Sequence, residues 1–167
     1  ISNLDNANPS KTIEDLERVL SIKPDHKKLV YLILSIAYKR IDKNVDALDT
    51  LCRGLKYYPK FSDMYLARAH IYLFLKQYKQ ALDDFRSFSK YAHKKIAGYL
   101  GEGDALQKLG RMKEAIQWYS KVINDPQIRL DSSSLYITAL ERRALTYFQS
   151  KDYNKAMKDF EFITNKL

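Results

Sequence analysis

The sequence has 167 residues, 46% hydrophobic and 29% charged, a composition typical of a folded chain rather than a disordered one. It holds only five glycines and four prolines. A β-sandwich or doubly wound sheet needs more turn residues, so an all-helical chain is favoured. The net charge of +9 is spread evenly, with 14 basic and 9 acidic side chains in residues 1–80 and 15 and 11 in residues 81–167. This even spread argues against nucleic acid as the partner.

Cys52 is the only cysteine, which excludes an intramolecular disulfide and a multi-cysteine zinc site. Without a disulfide we expect an intracellular, cytoplasmic location, with cytoskeletal or ciliary association left open. The longest nearly apolar run, residues 29–38, is about half of the ~20 residues that span a bilayer, so no membrane insertion is expected. The sequence starts at Ile1 without a signal pattern, and we expect a fragment of a longer protein.

The N-terminal region is predicted to contain a tail followed by a single helix. Residues 1–8 are expected to be disordered. Asn8, Pro9 and Ser10 signal a helix start, with Asn8 or Ser10 as the N-cap. Residues 9–27 match only the second half of the repeat that fills the rest of the chain, so we expect a half repeat there.

An internal repeat organises the remainder of the chain. Four alanines that begin similar helical stretches are spaced 34, 34 and 41 residues apart: Ala47, Ala81, Ala115 and Ala156. Twelve residues before them stand the small residues Ser35, Ala69, Gly103 and Ala144, and nine residues before them stand the large residues Tyr38, Tyr72, Leu106 and Tyr147. Small residues allow two antiparallel helices to cross closely, while large ones fill the space around the crossing.

Each repeat is therefore predicted to be a pair of antiparallel helices. The first helices should cover residues 29–41, 63–75, 97–109 and 135–150, and the second helices residues 45–58, 79–92, 113–124 and 154–166. Gly110 is the only glycine in the turns inside the repeats. The seven additional residues before the last repeat fall in residues 125–134, where Asp-Pro and a serine run predict a loop that is either a tolerated extension or a binding element.

This pattern resembles the tetratricopeptide repeat (TPR) family, whose 34-residue units carry small and large residues in the same order. The resemblance implies repeats at 28–61, 62–95, 96–129 and 137–167 after the half repeat at 9–27. It also implies one all-α domain, a right-handed α-solenoid that acts as a non-enzymatic scaffold for protein–protein interaction. Such units stack because a single helix pair cannot bury its own apolar faces.

No constellation of catalytic residues or ligands is visible in the sequence, and no cofactor or metal is expected. The three histidines lie in different repeats without metal-ligand spacing, and none is placed to activate Cys52, which is interpreted as a packed thiol. The adjacent carboxylates Asp83 and Asp84 point apart on a helix and are interpreted as solvated surface.

The resemblance implies that the first helices line a concave groove for a partner's helix or extended segment. Its candidate residues are Leu32, Ile36 and Arg40 in repeat 1, Leu66, His70, Leu73 and Phe74 in repeat 2, Leu100, Asp104 and Lys108 in repeat 3, and Arg142, Leu145 and Phe148 in repeat 4. The apolar members would anchor the partner and the polar ones fix its register. Alternatively, another part of the parent protein packs on this apolar surface. His70 is interpreted as a polar group of the groove rather than a pH switch.

Of the residues with which such domains clamp the C-terminal carboxylate of heat-shock chaperones, only Arg142 has a counterpart in register. A chaperone carboxylate clamp is therefore not expected. Two other functions remain open at this point. One is self-association as a structural module of a large assembly, and the other is a basic RNA-binding solenoid, which would require a steep dependence of affinity on salt.

Overall fold

The computed structural model describes residues 9–25, 27–126, 128 and 134–165, and within them the chain is helical without strands. The helices are α1 (Pro9–Ile22), α2 (Lys28–Arg40), α3 (Asn44–Tyr57), α4 (Ser62–Phe74), α5 (Tyr78–Tyr91), α6 (Ile96–Lys108), α7 (Met112–Ile123), α8 (Ser134–Gln149) and α9 (Tyr153–Thr164). The all-helical solenoid predicted from the repeat is confirmed. The helices of the four repeats begin one residue earlier than predicted.

The two kinds of helix occupy different sides of the solenoid. The first helices contact one another in sequence, α2 with α4, α4 with α6 and α6 with α8, and each also contacts its own second helix. Among the described residues, the second helices make no such contact with one another. The first helices are therefore closer together and line the inner, concave side, while α3, α5, α7 and α9 lie outside. In this article the first helices are called the inner helices.

The helix crossings use the small residues that the sequence indicates. Ala69 and Ala81 are both completely buried where α4 crosses α5, and Ala144 and Ala156 are buried where α8 crosses α9. In repeat 3, Gly103 lies so close to the ring of Tyr119 that a Cβ atom would come within 2.8 Å of three of its carbons. Small residues at these positions let the helix axes approach closely.

The turn inside each repeat contains a residue with left-handed backbone geometry. Gly110 has φ of 77°, and at the corresponding point of the other turns Asp42, Lys76 and Lys151 have φ of 57°, 58° and 62°. Glycine adopts this geometry without strain, whereas a residue with a Cβ atom does not. Three of the four turns therefore carry backbone strain.

The core consists of two apolar clusters that meet at α4. The N-terminal cluster is built from α1 to α4 and includes Leu20, Tyr31 and Leu51. The C-terminal cluster runs from α4 to α9 and includes Phe85 and Tyr119. Helix α4 contributes to both, with one side packed against each cluster. The solenoid therefore has two cores in sequence rather than one central core.

Buried ion pairs recur at the same position of repeats 2 and 4. Arg68 donates two hydrogen bonds of 2.7 Å to Asp84, and Arg143 donates two of 2.8 and 2.7 Å to Asp159. Burial lowers the pKa of the Arg68 guanidinium, but the hydrogen bonds and charge of Asp84 outweigh it and raise this pKa above its ordinary value. The interpretation of Asp84 as solvated surface is wrong, while Asp83 is exposed as expected.

Some features predicted from the sequence differ from those in the structure, and others lie outside the described residues. Helix α1 begins at Pro9, so Ser10 lies inside the helix and is not its N-cap; the tail at residues 1–8 is outside. Most of the predicted loop at 125–134 is also outside, but Ile128 is buried in the C-terminal cluster. No helix in the described part of the chain is long and apolar enough to cross a membrane.

Candidate partner-binding groove

The apolar half of the concave groove is a cavity between α2 and α4. The cavity has a volume of about 440 Å³ and is lined by Ser35, Ile36, Lys39, Ala67, His70, Ile71 and Phe74. The side chain of Phe74 is 65% exposed and that of Ile36 is 50% exposed. Large apolar side chains left this exposed around one concavity are typical of a surface that contacts another molecule.

The predicted groove residues differ in how accessible they are. Exposed members are Ile36, Arg40, His70, Phe74, Lys108, Leu145 and Phe148, and half-buried members are Leu32, Leu66, Leu73, Asp104 and Arg142. Leu100 is only 5% exposed and belongs to the C-terminal core cluster. It is therefore a core residue and is not available to a partner, because α6 turns it toward its neighbours rather than into the groove.

His70 lines the cavity, and its ring contacts the core. Its ring packs edge-on against the buried Phe85 ring, with centroids 5.3 Å apart. Burial lowers the pKa of His70, and the positive charges of Lys39 and Arg142 lower it further. His70 is therefore neutral at and above neutral pH, where one ring nitrogen can donate a hydrogen bond and the other can accept one.

The other half of the groove is polar and internally paired. Arg142 on α8 donates to Asp104 on α6, and the Tyr119 hydroxyl donates to the same carboxylate at 2.8 Å. Farther along, the side-chain amide of Gln107 donates to that of Gln149 at 3.1 Å. Burial raises the pKa of Asp104, although Arg142 and Tyr119 act in the opposite direction. These contacts fix adjacent inner helices to each other across the groove.

The sequence identified Asp104 and Arg142 separately but did not identify their pairing. The signal was present, since opposite charges occupy inner positions of successive repeats. Ile71 also lines the cavity, although it does not belong to the predicted set. Lys39, which the repeat register places at an inner position, lines the cavity as well.

The described residues contain no group of three or more His, Cys, Asp or Glu side chains arranged to hold a metal ion. Cys52 is half-buried and accepts a hydrogen bond from Nη1 of Arg68 at 3.2 Å. The same Arg68 side chain also donates to Asp84, so Cys52 contacts an arginine that belongs to a buried ion pair.

The tetratricopeptide repeat model matches residues 62–91, 96–124 and 137–161, about half of the chain. The chain belongs to the tetratricopeptide repeat family. The TPR assignment agrees with the geometry above, in which inner helices line a groove and outer helices cover them. Members of this family are generally scaffolds for protein–protein interaction rather than enzymes.

Solved TPR structures superpose along nearly the whole chain. MamA from Desulfovibrio magneticus RS-1 aligns with a TM-score of 0.82 and 17% identity, over 97% of this chain and 87% of that one. A putative kinesin light chain from Podosopora anserina with nearly identical TPR-like repeats aligns with a TM-score of 0.76 and 15% identity, over 96% of this chain and 88% of that one. A TPR protein from Parabacteroides merdae aligns with a TM-score of 0.72 and 18% identity, over 94% of this chain and 58% of that one. No curated protein matches in sequence. At these identities the likeness shows the TPR fold.

Proposed function

We propose that this TPR domain is a non-enzymatic scaffold that binds a helix or extended segment of a partner protein in its concave groove. The observation that carries the proposal is the exposure of Ile36 and Phe74 on either side of one cavity between two inner helices. Both side chains project from helices whose other faces are fixed in the core, so the apolar walls exist before the partner arrives. A preformed site loses little ordering entropy on binding.

The charges around the cavity indicate which segment fits it. Lys39 lines the cavity, whereas His70 is neutral. An apolar side chain of the partner would lie between Ile36 and Phe74. A carboxylate one turn away would be attracted by Lys39. The partner segment is therefore proposed to carry an apolar anchor with an acidic residue next to it.

The polar half of the groove would set the register of the partner. Asp104 and Arg142 neutralise each other, so a partner that passes over them gains little from a single charge of either sign. Lys108 is exposed beside this pair, and Leu145 and Phe148 offer a second apolar contact. A segment that reaches both apolar contacts would have to extend across the four inner helices from α2 to α8. This length requirement would add selectivity to the binding.

The test compares the proteins captured by Phe74→Asp with those captured by the unchanged chain from an extract of the source cell. Val45→Asp is the matched control, because Val45 is a highly exposed apolar residue on the outer helix α3. Circular dichroism confirms that each variant is folded. Leu32 is unsuitable for this test because it packs against the N-terminal core cluster.

We expect Phe74→Asp to lose one or more partners that Val45→Asp retains, since a carboxylate at the cavity wall would be desolvated by an apolar anchor. Fragments of the captured partners are then purified, and their affinity for each variant is measured by titration calorimetry. If every captured protein, once purified, bound Phe74→Asp and the unchanged chain with equal affinity, binding in this groove would be refuted.

A further inference from the structure

Lysines and aromatic rings of successive repeats lie along one edge of the solenoid. Each outer helix ends and the next inner helix begins at this edge, which therefore consists of the connections between repeats. Lys56 and Lys90 are 34 positions apart, one repeat length, so they occupy equivalent points of neighbouring connections. Lys60 and Lys94 are related in the same way. Charges that are spread evenly along the sequence therefore form a row in space.

This edge is rich in lysine and poor in acid. Residues 54–65 and 88–99, which form two neighbouring connections, contain five lysines and one acidic residue, Asp63. Lys121 in the last turn of α7 lies on the same edge. All six lysines are exposed, and none forms a salt bridge with another residue that the structure describes. Their charge is thus available to an anionic partner.

Aromatic pairs lie between these lysines. Tyr65, near the start of α4, stacks on Tyr91 at the end of α5, with ring centroids 5.8 Å apart. Tyr99, near the start of α6, lies against Trp118 of α7, with centroids 5.1 Å apart. All four side chains are half-buried, so each is anchored in the solenoid and still exposes part of its surface. The edge therefore offers fixed aromatic surfaces as well as charge.

Lysine side chains cover some of these rings. Nζ of Lys121 lies 4.0 Å from the ring centroid of Tyr99 and 4.7 Å from that of Trp118. Nζ of Lys90 lies 5.3 Å from the ring centroid of Tyr91. Cation–π contacts at exposed sites are weak, and lysine has a flexible stem. An ammonium group can therefore turn from the ring to an anion, which leaves the ring face to another flat group.

The rings and the cations together narrow the class of partner. An acidic peptide would use the lysines alone, because the face of an aromatic ring is negative and does not attract a carboxylate. Single-stranded nucleic acid uses both, since its phosphates bind lysine and its bases stack on aromatic side chains. In a duplex the bases are already stacked on one another. The combination therefore favours a single strand.

We propose that this edge binds single-stranded nucleic acid without sequence preference. The site is called the loop-edge patch, and it consists of Lys90, Lys94, Lys95, Tyr99, Trp118 and Lys121. The four lysines contact phosphates, and the two aromatic side chains offer their ring faces to the bases. The patch lies on a different surface from the concave groove, so it does not depend on the function proposed for the groove.

The probe is a fluorescein-labelled oligouridylate of about 12 nucleotides, a length within the range of single-strand binding sites. Its binding to the intact chain is measured by fluorescence anisotropy at increasing salt concentration. A labelled oligoglutamate peptide of the same charge is the comparison without bases. Trp118 is the only tryptophan in the sequence. Its emission, measured with unlabelled oligouridylate, therefore reports whether bases reach the patch.

Charge reversal at two places locates the site. The test variant carries Lys90→Glu, Lys94→Glu and Lys95→Glu. The matched control carries Lys43→Glu, Lys79→Glu and Lys113→Glu, which replace exposed lysines at the turns inside the repeats. These turns form the opposite edge, about 20 Å away, one helix length. Each substitution changes the charge by −2, so both variants have a net charge of +3 in place of +9. Circular dichroism confirms that both are folded.

We expect the logarithm of the affinity for oligouridylate to fall with the logarithm of salt concentration at a slope of about −3, since four lysines contribute about −0.7 each. The test variant should bind about 100-fold more weakly at low salt, with a slope of about −1, whereas the control should lose less than about fivefold. Oligoglutamate should bind at least about tenfold more weakly than oligouridylate, and only oligouridylate should quench the emission of Trp118.

Four results would overturn the proposal. One is no binding of oligouridylate to the unchanged chain at low salt. Another is an equal loss of affinity in the test and control variants, which would show a general attraction to a basic chain. Equal affinity for oligoglutamate and oligouridylate would show that the edge binds an acidic protein segment instead. Unchanged emission of Trp118 at saturating oligouridylate would show that the bases do not reach the rings.

Discussion

Replacing Gly101 with alanine measures how tightly α6 is packed onto α5. Alanine normally stabilises the interior of a helix relative to glycine by about 1 kcal/mol. At Gly101 the new Cβ atom would lie within 2.5 Å of ring carbons of Phe85, well below the 3.0 Å that real contacts keep. Phe85 is completely buried, and the ring of His70 blocks part of its surroundings at 5.3 Å. The ring therefore has no free space into which it can move.

The net effect follows from these two opposing contributions. Overpacking a well-filled core costs about 1–3 kcal/mol, and the lack of space around Phe85 places Gly101→Ala at the upper end of this range. After the gain in helix propensity of about 1 kcal/mol is subtracted, the free energy of unfolding should fall by about 2 kcal/mol. When the ring is removed as well, the alanine should be stabilising. The double variant Gly101→Ala/Phe85→Leu should therefore have a higher free energy of unfolding than Phe85→Leu alone.

A double-mutant cycle compares the unchanged chain, the two single variants and the double variant. Their free energies of unfolding are measured by urea denaturation, with circular dichroism as the signal. The expected coupling between the two positions is about 3 kcal/mol, the difference between a net cost of about 2 and a net gain of about 1. A Gly101→Ala chain as stable as the unchanged chain would refute the argument that Phe85 is immobile. Equal effects of the alanine with and without the ring would show that the cost has another origin.

Two further predictions concern the strained turns and a buried carboxylate. Lys76→Gly should raise the free energy of unfolding, measured in urea, by about 0.5–1 kcal/mol because it relieves a left-handed backbone. Gly110→Ala should lower the free energy of unfolding by about 1 kcal/mol. An unchanged free energy of unfolding in either variant would contradict the claim that these turns are strained. Burial raises the pKa of Glu102 despite hydrogen bonding from Ser89 and the charges of Arg86 and Lys121, so the folded state binds this proton more tightly than the unfolded state does. Ionisation then lowers stability as the pH rises above about 4, and Glu102→Gln should be more stable than the unchanged chain at neutral pH and lose that advantage at about pH 3. An advantage that does not vary with pH would exclude this titration.

The helix pairs could be predicted because their signal is local and repeated. Alanines and large residues recur in phase, and outer helices such as α3, α5 and α7 are amphipathic at a spacing that sequence alone displays. The crossing residues Ala69, Ala81, Ala144 and Ala156 are all buried as the pattern indicates.

The features that the sequence did not predict depend on pairs of residues in different helices. Asp84 carries the same charge as its exposed neighbour Asp83, but Asp84 lies on the buried face of α5, where Arg68 on α4 pairs with it. The left-handed turns were missed for a related reason. Lys76 and Lys151 are not residues that favour this geometry, and the adjoining helices impose it on them.

The two core clusters have a consequence for how the solenoid opens. Within the described part of the chain, contacts join neighbouring and next-neighbouring helices only, so the N-terminal and C-terminal clusters are held together mainly through α4. In native-state hydrogen exchange, such clusters are separate cooperative units whose backbone amides exchange with different opening free energies. Ile36 belongs to a helix of the first unit and Leu145 to a helix of the second. A ligand that contacts both would link the two units, and its binding free energy would oppose the opening of either one alone.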